Sequence, residues 1–141
     1  MNRSISHENL LCMGGSLLGA VSLFQGGDIS ITYKAENDAV SDFDIFLQKK
    51  VFIELSELDP DVPVLSEEKI FQCDSQCAWI IDPLDGTSNY IQGLPPSAIV
   101  AAKVNGTEVL ASLIVDISSG DIYTAIKGDG SRFNGKQLMY K

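Results

Sequence analysis

Leu10, Met13, Leu17, Val21 and Phe24 recur at three- and four-residue steps, which predicts an amphipathic helix with its cap near Ser6. Gly26-Gly27-Asp28 is a stop signal, after which Ile29, Ile31 and Tyr33 alternate with polar residues as a short strand does. A second helix is predicted from Asp42 to Leu58. There Phe43, Phe46, Leu47, the Lys50 stem, Val51, Ile53 and Leu55 put apolar mass on one side. Asp59-Pro60-Asp61 ends it, and residues 62–65 are a brief apolar strand running into Ser66-Glu67-Glu68.

From there the period falls to two. Residues 78–81 read as a buried strand that stops at Asp82-Pro83. Residues 99–104 and 109–115 flank Asn105-Gly106, the strongest hairpin signal in the chain and one suited to a type I′ turn. Residues 122–126 supply a further strand, and Gly128-Asp129-Gly130 and Asn134-Gly135 mark later turns. Helices first and a meander afterwards predict an α+β fold, two N-terminal helices layered on a mainly antiparallel sheet.

The composition sets bounds on this picture. A chain of 141 residues with 45% hydrophobic and 21% charged residues is one globular domain's worth, and disordered or low-complexity classes are excluded. Ten Lys and Arg against 19 Asp and Glu give −9, so neither nucleic acid nor an anionic membrane is an expected partner. A phosphate partner would need its local field reversed, which carboxylate-held divalent metal achieves. Three cysteines, Cys12, Cys73 and Cys77, cannot all pair within the chain, which favours a reducing, cytoplasmic setting. The run from Leu10 to Phe24 has Arg3 before it, as a signal peptide would. Glu8, the lack of a small-residue cleavage site and the interrupting Gly14, Gly15, Ser16, Gly19 and Ser22 favour a core helix instead. The single histidine, His7, reads as a solvent-facing helix residue.

Chemistry concentrates where apolar strands end. In Ile80-Ile81-Asp82-Pro83-Leu84-Asp85-Gly86-Thr87-Ser88-Asn89 a strand delivers Asp82, Pro83 stiffens the exit, and Asp85 follows three residues later. Thr87 stands where an N-cap would open a short helix through Ile91. The amides of Gly86, Thr87 and Ser88 are placed to accept an anion there. By itself such a segment is commonly an Asx turn with a capping Thr. Glu67-Glu68 at another strand end, and Asp38, Asp42 and Asp44 at a helix start, make three acidic clusters at three element ends. That pattern points to oxygen-ligand metal binding, and hard oxygen donors suit Mg²⁺.

The segment Trp79-Ile80-Ile81-Asp82-Pro83-Leu84-Asp85-Gly86-Thr87-Ser88-Asn89-Tyr90 closely resembles the signature of the inositol monophosphatase family. The family pattern of D, then EE, then DPxDGT is matched by Asp44, Glu67-Glu68 and Asp82 to Thr87. Residues 37–44 (with Ser41 for the more usual Thr), 120–130 and 134–135 look like family segments too. The resemblance covers nearly the whole chain. It implies the N-terminal half of the inositol monophosphatase/fructose-bisphosphatase-like α/β sandwich, residues 1–141 forming one domain with the C-terminal domain absent. The family's later Trp-Asp has no counterpart, since Trp79 is the only tryptophan.

What the resemblance implies for the chemistry is Mg²⁺-dependent hydrolysis of a small phosphorylated substrate, with the lithium sensitivity of the family. Glu67 and Asp82, with the Leu84 carbonyl, would hold one Mg²⁺. Asp82 and Asp85 would hold a second. Asp44 and Thr87, together with Glu67, would be catalytic by activating water, while Gly86, Thr87 and Ser88 would face the phosphate. Thr87-Ser88-Asn89-Tyr90 resembles the inositol monophosphatase branch, which implies inositol monophosphate or a similar polyol phosphate. Residues 60–68 resemble the 3′(2′),5′-bisphosphate nucleotidase branch. A catalytically inactive interaction domain and an acidic metal-binding module without chemistry are the other readings. The apolar strand faces predict a homo-oligomer or a complementary C-terminal half as partner.

Overall fold

The computed structural model describes residues 4–24, 31–35, 38–66 and 74–139, with backbone alone described for 31–35 and 38–41. Helix α1 runs His7–Phe24, and strands β1 (Ile31–Ala35) and β2 (Asp38–Ser41) form an antiparallel pair. Helix α2 spans Asp42–Leu58, followed by β3 (Val64–Ser66), β4 (Cys77–Asp85) and the short α3 (Thr87–Gln92). Strands β5 (Ala98–Asn105), β6 (Glu108–Asp116), β7 (Ile122–Ile126), β8 (Gly130–Phe133) and β9 (Lys136–Gln137) complete the chain. The last seven strands form one sheet in the order β3-β4-β5-β6-β7-β8-β9, parallel between β3 and β4 and antiparallel elsewhere. This is the expected pair of helices on a mainly antiparallel sheet.

Local chemistry explains the element ends. Ser6 caps α1 as expected: its hydroxyl accepts the Asn9 amide at 3.1 Å and donates to Asn9 Oδ1 at 2.7 Å. Asn134 (φ 47°) and Gly135 (φ 81°) are the two central residues between β8 and β9, the left-handed pair a type I′ turn needs. The expected type I′ turn at Asn105-Gly106 is not what forms. Asn105 belongs to β5 and pairs with Glu108, so Gly106 and Thr107 make the loop, and only Gly106 has positive φ.

One face of the sheet carries the core. Trp79, Ile81, Ile99, Ala101, Leu113, Val115 and Ile122 point toward the helices and are buried against Leu10, Leu17, Phe43, Leu47, Val51 and Leu55. Gly14 is buried in α1 because a Cβ there would lie 3.0 Å from the Ile122 side chain, so its small size sets how closely α1 approaches β7. That approach also corrects the reading of His7. The residue opens α1 against β7 and is buried, its Nδ1 lying 2.7 Å from Thr124 Oγ1. Ile53 is corrected as well: the face that packs repeats at Phe43, Leu47, Val51 and Leu55, a four-residue step that leaves Ile53 52% exposed.

The opposite face of the sheet reads, across the strands, Ile80–Ala102–Ser112–Ala125–Ser131 and then Asp82–Val100–Ile114–Tyr123–Phe133. These positions are half-buried or exposed, Ile114 and Tyr123 each at 40%. Among the described residues no helix is long and apolar enough to cross a membrane. Cys12 and Cys77 are free thiols, and Cys73 lies outside the described residues.

Leu47→Ala is expected to lower the unfolding free energy by about 2–5 kcal/mol, because Leu47 is fully buried between α2 and the sheet. Ile53→Ala is expected to lower it by about 0.5 kcal/mol or less. Urea unfolding of both variants measures the contrast, and equal losses would return Ile53 to the core.

Candidate active site

Strand β4 outruns the sequence expectation, continuing past Asp82-Pro83 to Asp85. Asp82 pairs with Val100 and Asp85 with Ala98, so three steps on β4 oppose two on β5. The extra residue is a bulge, and it changes which way side chains point. Regular alternation would send Asp82 and Asp85 to opposite faces. The bulge turns Leu84 inward, where it is buried, and sets Asp85 opposite Ala98 on the same face as Asp82 and Val100. Pro83 suits this place because a bulge does not require its missing N–H. The Asp82 carboxylate also accepts the Leu84 amide at 3.3 Å.

The chain then turns sharply through Gly86. At φ 77° this residue occupies the left-handed region, and an added Cβ would lie 2.7 Å from the Pro96 carbonyl oxygen. Only glycine fits. Here Gly86, not Thr87, is the N-cap of α3, and the helix has no side-chain cap. Thr87 is the first helical residue. Its Oγ1 lies 3.0 Å from Asp44 Oδ1 and 3.0 Å from the Leu84 carbonyl oxygen. The hydroxyl looks back to α2 and β4 rather than along its own helix.

Asp44 reaches this point from the first turn of α2. The ring of its neighbour Phe43 stacks on Tyr90 of α3, centroids 4.3 Å apart and planes 13° from parallel. Burial there pushes the Tyr90 phenol above its ordinary value. Asn89 ties the other side of α3 down, its Nδ2 donating to Pro96 O at 2.9 Å. Asp44, Thr87 and the Leu84 carbonyl therefore meet where α2, β4 and α3 converge, with Asp82 and Asp85 flanking Leu84 on β4, Gly86 inside the turn and Ser88 exposed on α3.

Glu67 and Glu68 lie outside the described residues. Strand β3 ends at Ser66, which pairs with Ile81, the residue before Asp82. Among the described residues no three of His, Cys, Asp and Glu gather closely enough to hold a metal ion. The donors that are described, the Asp82 and Asp85 carboxylates and the Leu84 carbonyl, are all oxygen, a set that fits Mg²⁺ and not a soft or nitrogen-seeking metal. The Tyr90–Phe43 stack, the Pro96 carbonyl over Gly86 and the burial of Asp59 are not foreseen by the sequence. Of these only Asp59 had a local signal, and it read as a helix terminator.

The sequence profile described as the inositol monophosphatase family matches residues 10–141. The chain belongs to the inositol monophosphatase family. Among its relatives, a Nus factor SuhB of Xylella fastidiosa is 34% identical over 110 residues, covering 78% of this chain and 40% of that protein. An inositol-1-monophosphatase of Mesorhizobium japonicum is 33% identical over 113 residues, covering 79% of this chain and 42% of that one. A solved structure of an IMPase/NADP phosphatase complexed with Mg²⁺ and phosphate superposes with a TM-score of 0.77 over 93% of this chain and 51% of its own. At 24% identity that likeness shows the fold alone. The chain thus spans about two-fifths of the length of the curated relatives it matches.

Gly86→Ala is expected to cost more than about 1 kcal/mol, since it adds left-handed strain to a clash with a backbone oxygen. Thermal unfolding measures this. A variant as stable as the parent would show that the turn relaxes freely.

Proposed function

We propose that this chain carries the catalytic acidic centre of a Mg²⁺-dependent phosphomonoesterase acting on inositol monophosphate or a similar small polyol phosphate. The observation that supports it most is the Thr87 hydroxyl held 3.0 Å from the Asp44 carboxylate, beside a bulge that turns Asp82 and Asp85 to one face. A hydroxyl that donates to Asp44 keeps its lone pairs for a water. Asp44 and Thr87 then orient that water toward phosphorus and draw off its proton. Glu67, Asp82, Asp85 and the Leu84 carbonyl would hold Mg²⁺. The metal's contribution when bound is to acidify water and to stabilise the leaving oxygen. The amides of Gly86, Thr87 and Ser88 open α3 and would face the phosphate oxygens.

A second reading has its own support. Relatives at similar identity are named Nus factor SuhB, which favours an interaction role for the same fold. Phosphate release with inositol monophosphate and with a 3′(2′),5′-bisphosphate nucleotide, with and without Mg²⁺, separates this role from both phosphatase branches. Release from the nucleotide alone would reassign the substrate.

The partner proposal rests on the sheet face opposite α1 and α2. Ile80, Val100, Ile114, Tyr123 and Phe133 lie across it, and a second copy or a polypeptide equivalent to the relatives' remaining length would cover them. The chain alone is expected to self-associate and to show little phosphatase activity. Activity should rise when the remaining family segment is added in trans. Robust Mg²⁺-dependent release from a monodisperse monomer, seen by sedimentation, would overturn this. In the active assembly Thr87→Ala is expected to lower turnover about 10²-fold while Mg²⁺ affinity stays nearly unchanged. Equal turnover would leave Thr87 a structural contact.

A further inference from the structure

Asp59, directly after α2, is 2% exposed. Its Oδ2 accepts the Trp79 indole N–H at 2.9 Å and the Lys103 ammonium at 2.7 Å. Trp79 and Lys103 face each other across β4 and β5, so one carboxylate grips both strands. The surrounding backbone is tied to the same place. The Asp59 amide donates to Leu55 O at 2.8 Å, the Val62 amide to Asp59 O at 3.1 Å, and the Trp79 amide to Pro63 O at 2.8 Å.

These bonds set the register of β3. Val64 pairs with Trp79 and Ser66 with Ile81, so the clamp at Asp59 decides which residue of β4 lies beside the end of β3. It also fixes the C-terminal end of α2, whose first turn holds Asp44, about 22 Å away at 1.5 Å per residue. A helix pinned at both ends cannot slide against the strand that carries Asp82 and Asp85. A buried ion pair is a weak source of stability, because desolvation offsets most of the attraction. Its directional bonds are a strong source of register.

We infer that Asp59 is a positioning residue for the acidic centre, acting through Trp79 and Lys103 to hold α2 and β3 in register on β4. The inference rests on the reading of that centre as a divalent-cation site. Mg²⁺ affinity therefore depends on a carboxylate that never touches the metal.

The test uses the 141-residue chain, with Mn²⁺ as probe by electron paramagnetic resonance and amide exchange by NMR. Asp59→Asn removes the charge that the half-buried Lys103 ammonium faces and offers it at most a neutral amide oxygen, which makes it a harsh variant. A triple variant, Asp59→Leu with Trp79→Phe and Lys103→Met, replaces the network by apolar groups of similar size. It is expected to stay folded, with faster exchange confined to the amides of β3 and of residue 79, and with Mn²⁺ affinity lowered about fivefold to tenfold. A purely structural role would speed exchange in every element together. A folded triple variant with parental β3 protection, or one binding Mn²⁺ as the parent does, overturns the inference. If the parent itself binds no Mn²⁺, the metal-site reading fails, the positioning role falls with it, and the exchange data still decide the register claim.

Discussion

The Thr87 hydroxyl has one proton and two acceptors at 3.0 Å, Asp44 Oδ1 and the Leu84 carbonyl oxygen. Those acceptors belong to α2 and β4, and Thr87 itself opens α3, so a single group measures the distance between three elements. It can do so only because Gly86 makes the turn, where any other residue would place its Cβ 2.7 Å from Pro96 O. The β4 bulge is upstream of the same constraint. Were the same residues paired in regular alternation without the bulge, Leu84 would face out and Asp85 would turn to the core side.

Helix α2 is therefore held at both of its ends by polar contacts and in its middle by apolar ones. At the first turn, Asp44 meets Thr87 and Phe43 stacks on Tyr90. Past the last turn, Asp59 grips Trp79 and Lys103. Between them Leu47, Val51 and Leu55 are fully buried. Burial supplies the energy but tolerates sliding by a turn, since apolar contacts are non-directional. Hydrogen bonds at both ends do not tolerate it. The division of labour explains why a buried charge persists where an apolar side chain would serve stability as well.

Periodicity made the helices legible because burial is periodic: α2 spans Asp42–Leu58 as the pattern predicts, and residues 122–126 form β7 as predicted. Where a long-range contact decides, local patterns failed. The end of β4 was misplaced because Asp82-Pro83 reads as a break, whereas pairing with β5 carries the strand through a bulge. His7 was placed in solvent because nothing near it in sequence announces Thr124, 117 residues away. Thr87 was read as a cap because a Thr after Gly at a helix start usually is one. The partner that redirects it, Asp44, sits 43 residues earlier. The chemistry of the centre was legible for a different reason. Carboxylates at an element end are commonly Asx turns or helix caps, so it was the match of Asp44 and of the segment from Asp82 to Thr87 to the family pattern that singled these residues out as candidates.

The two faces of the sheet differ in burial. Toward the helices it presents Trp79, Ile81, Leu113 and Val115, all at 1% exposure or less, which hold the domain together. Away from them, the row that starts at Asp82 continues through Val100, Ile114, Tyr123 and Phe133. The carboxylate and the apolar row thus share one strand face, with Asp85 one pairing step beyond. Covering the apolar row would also exclude water from beside Asp82, and a lower local dielectric strengthens every interaction a carboxylate makes with a cation. The proposed cover and the proposed chemistry would be coupled through that geometry. The same parity that leaves Ile114 and Tyr123 exposed is what delivers Asp82 to the open side of the sheet.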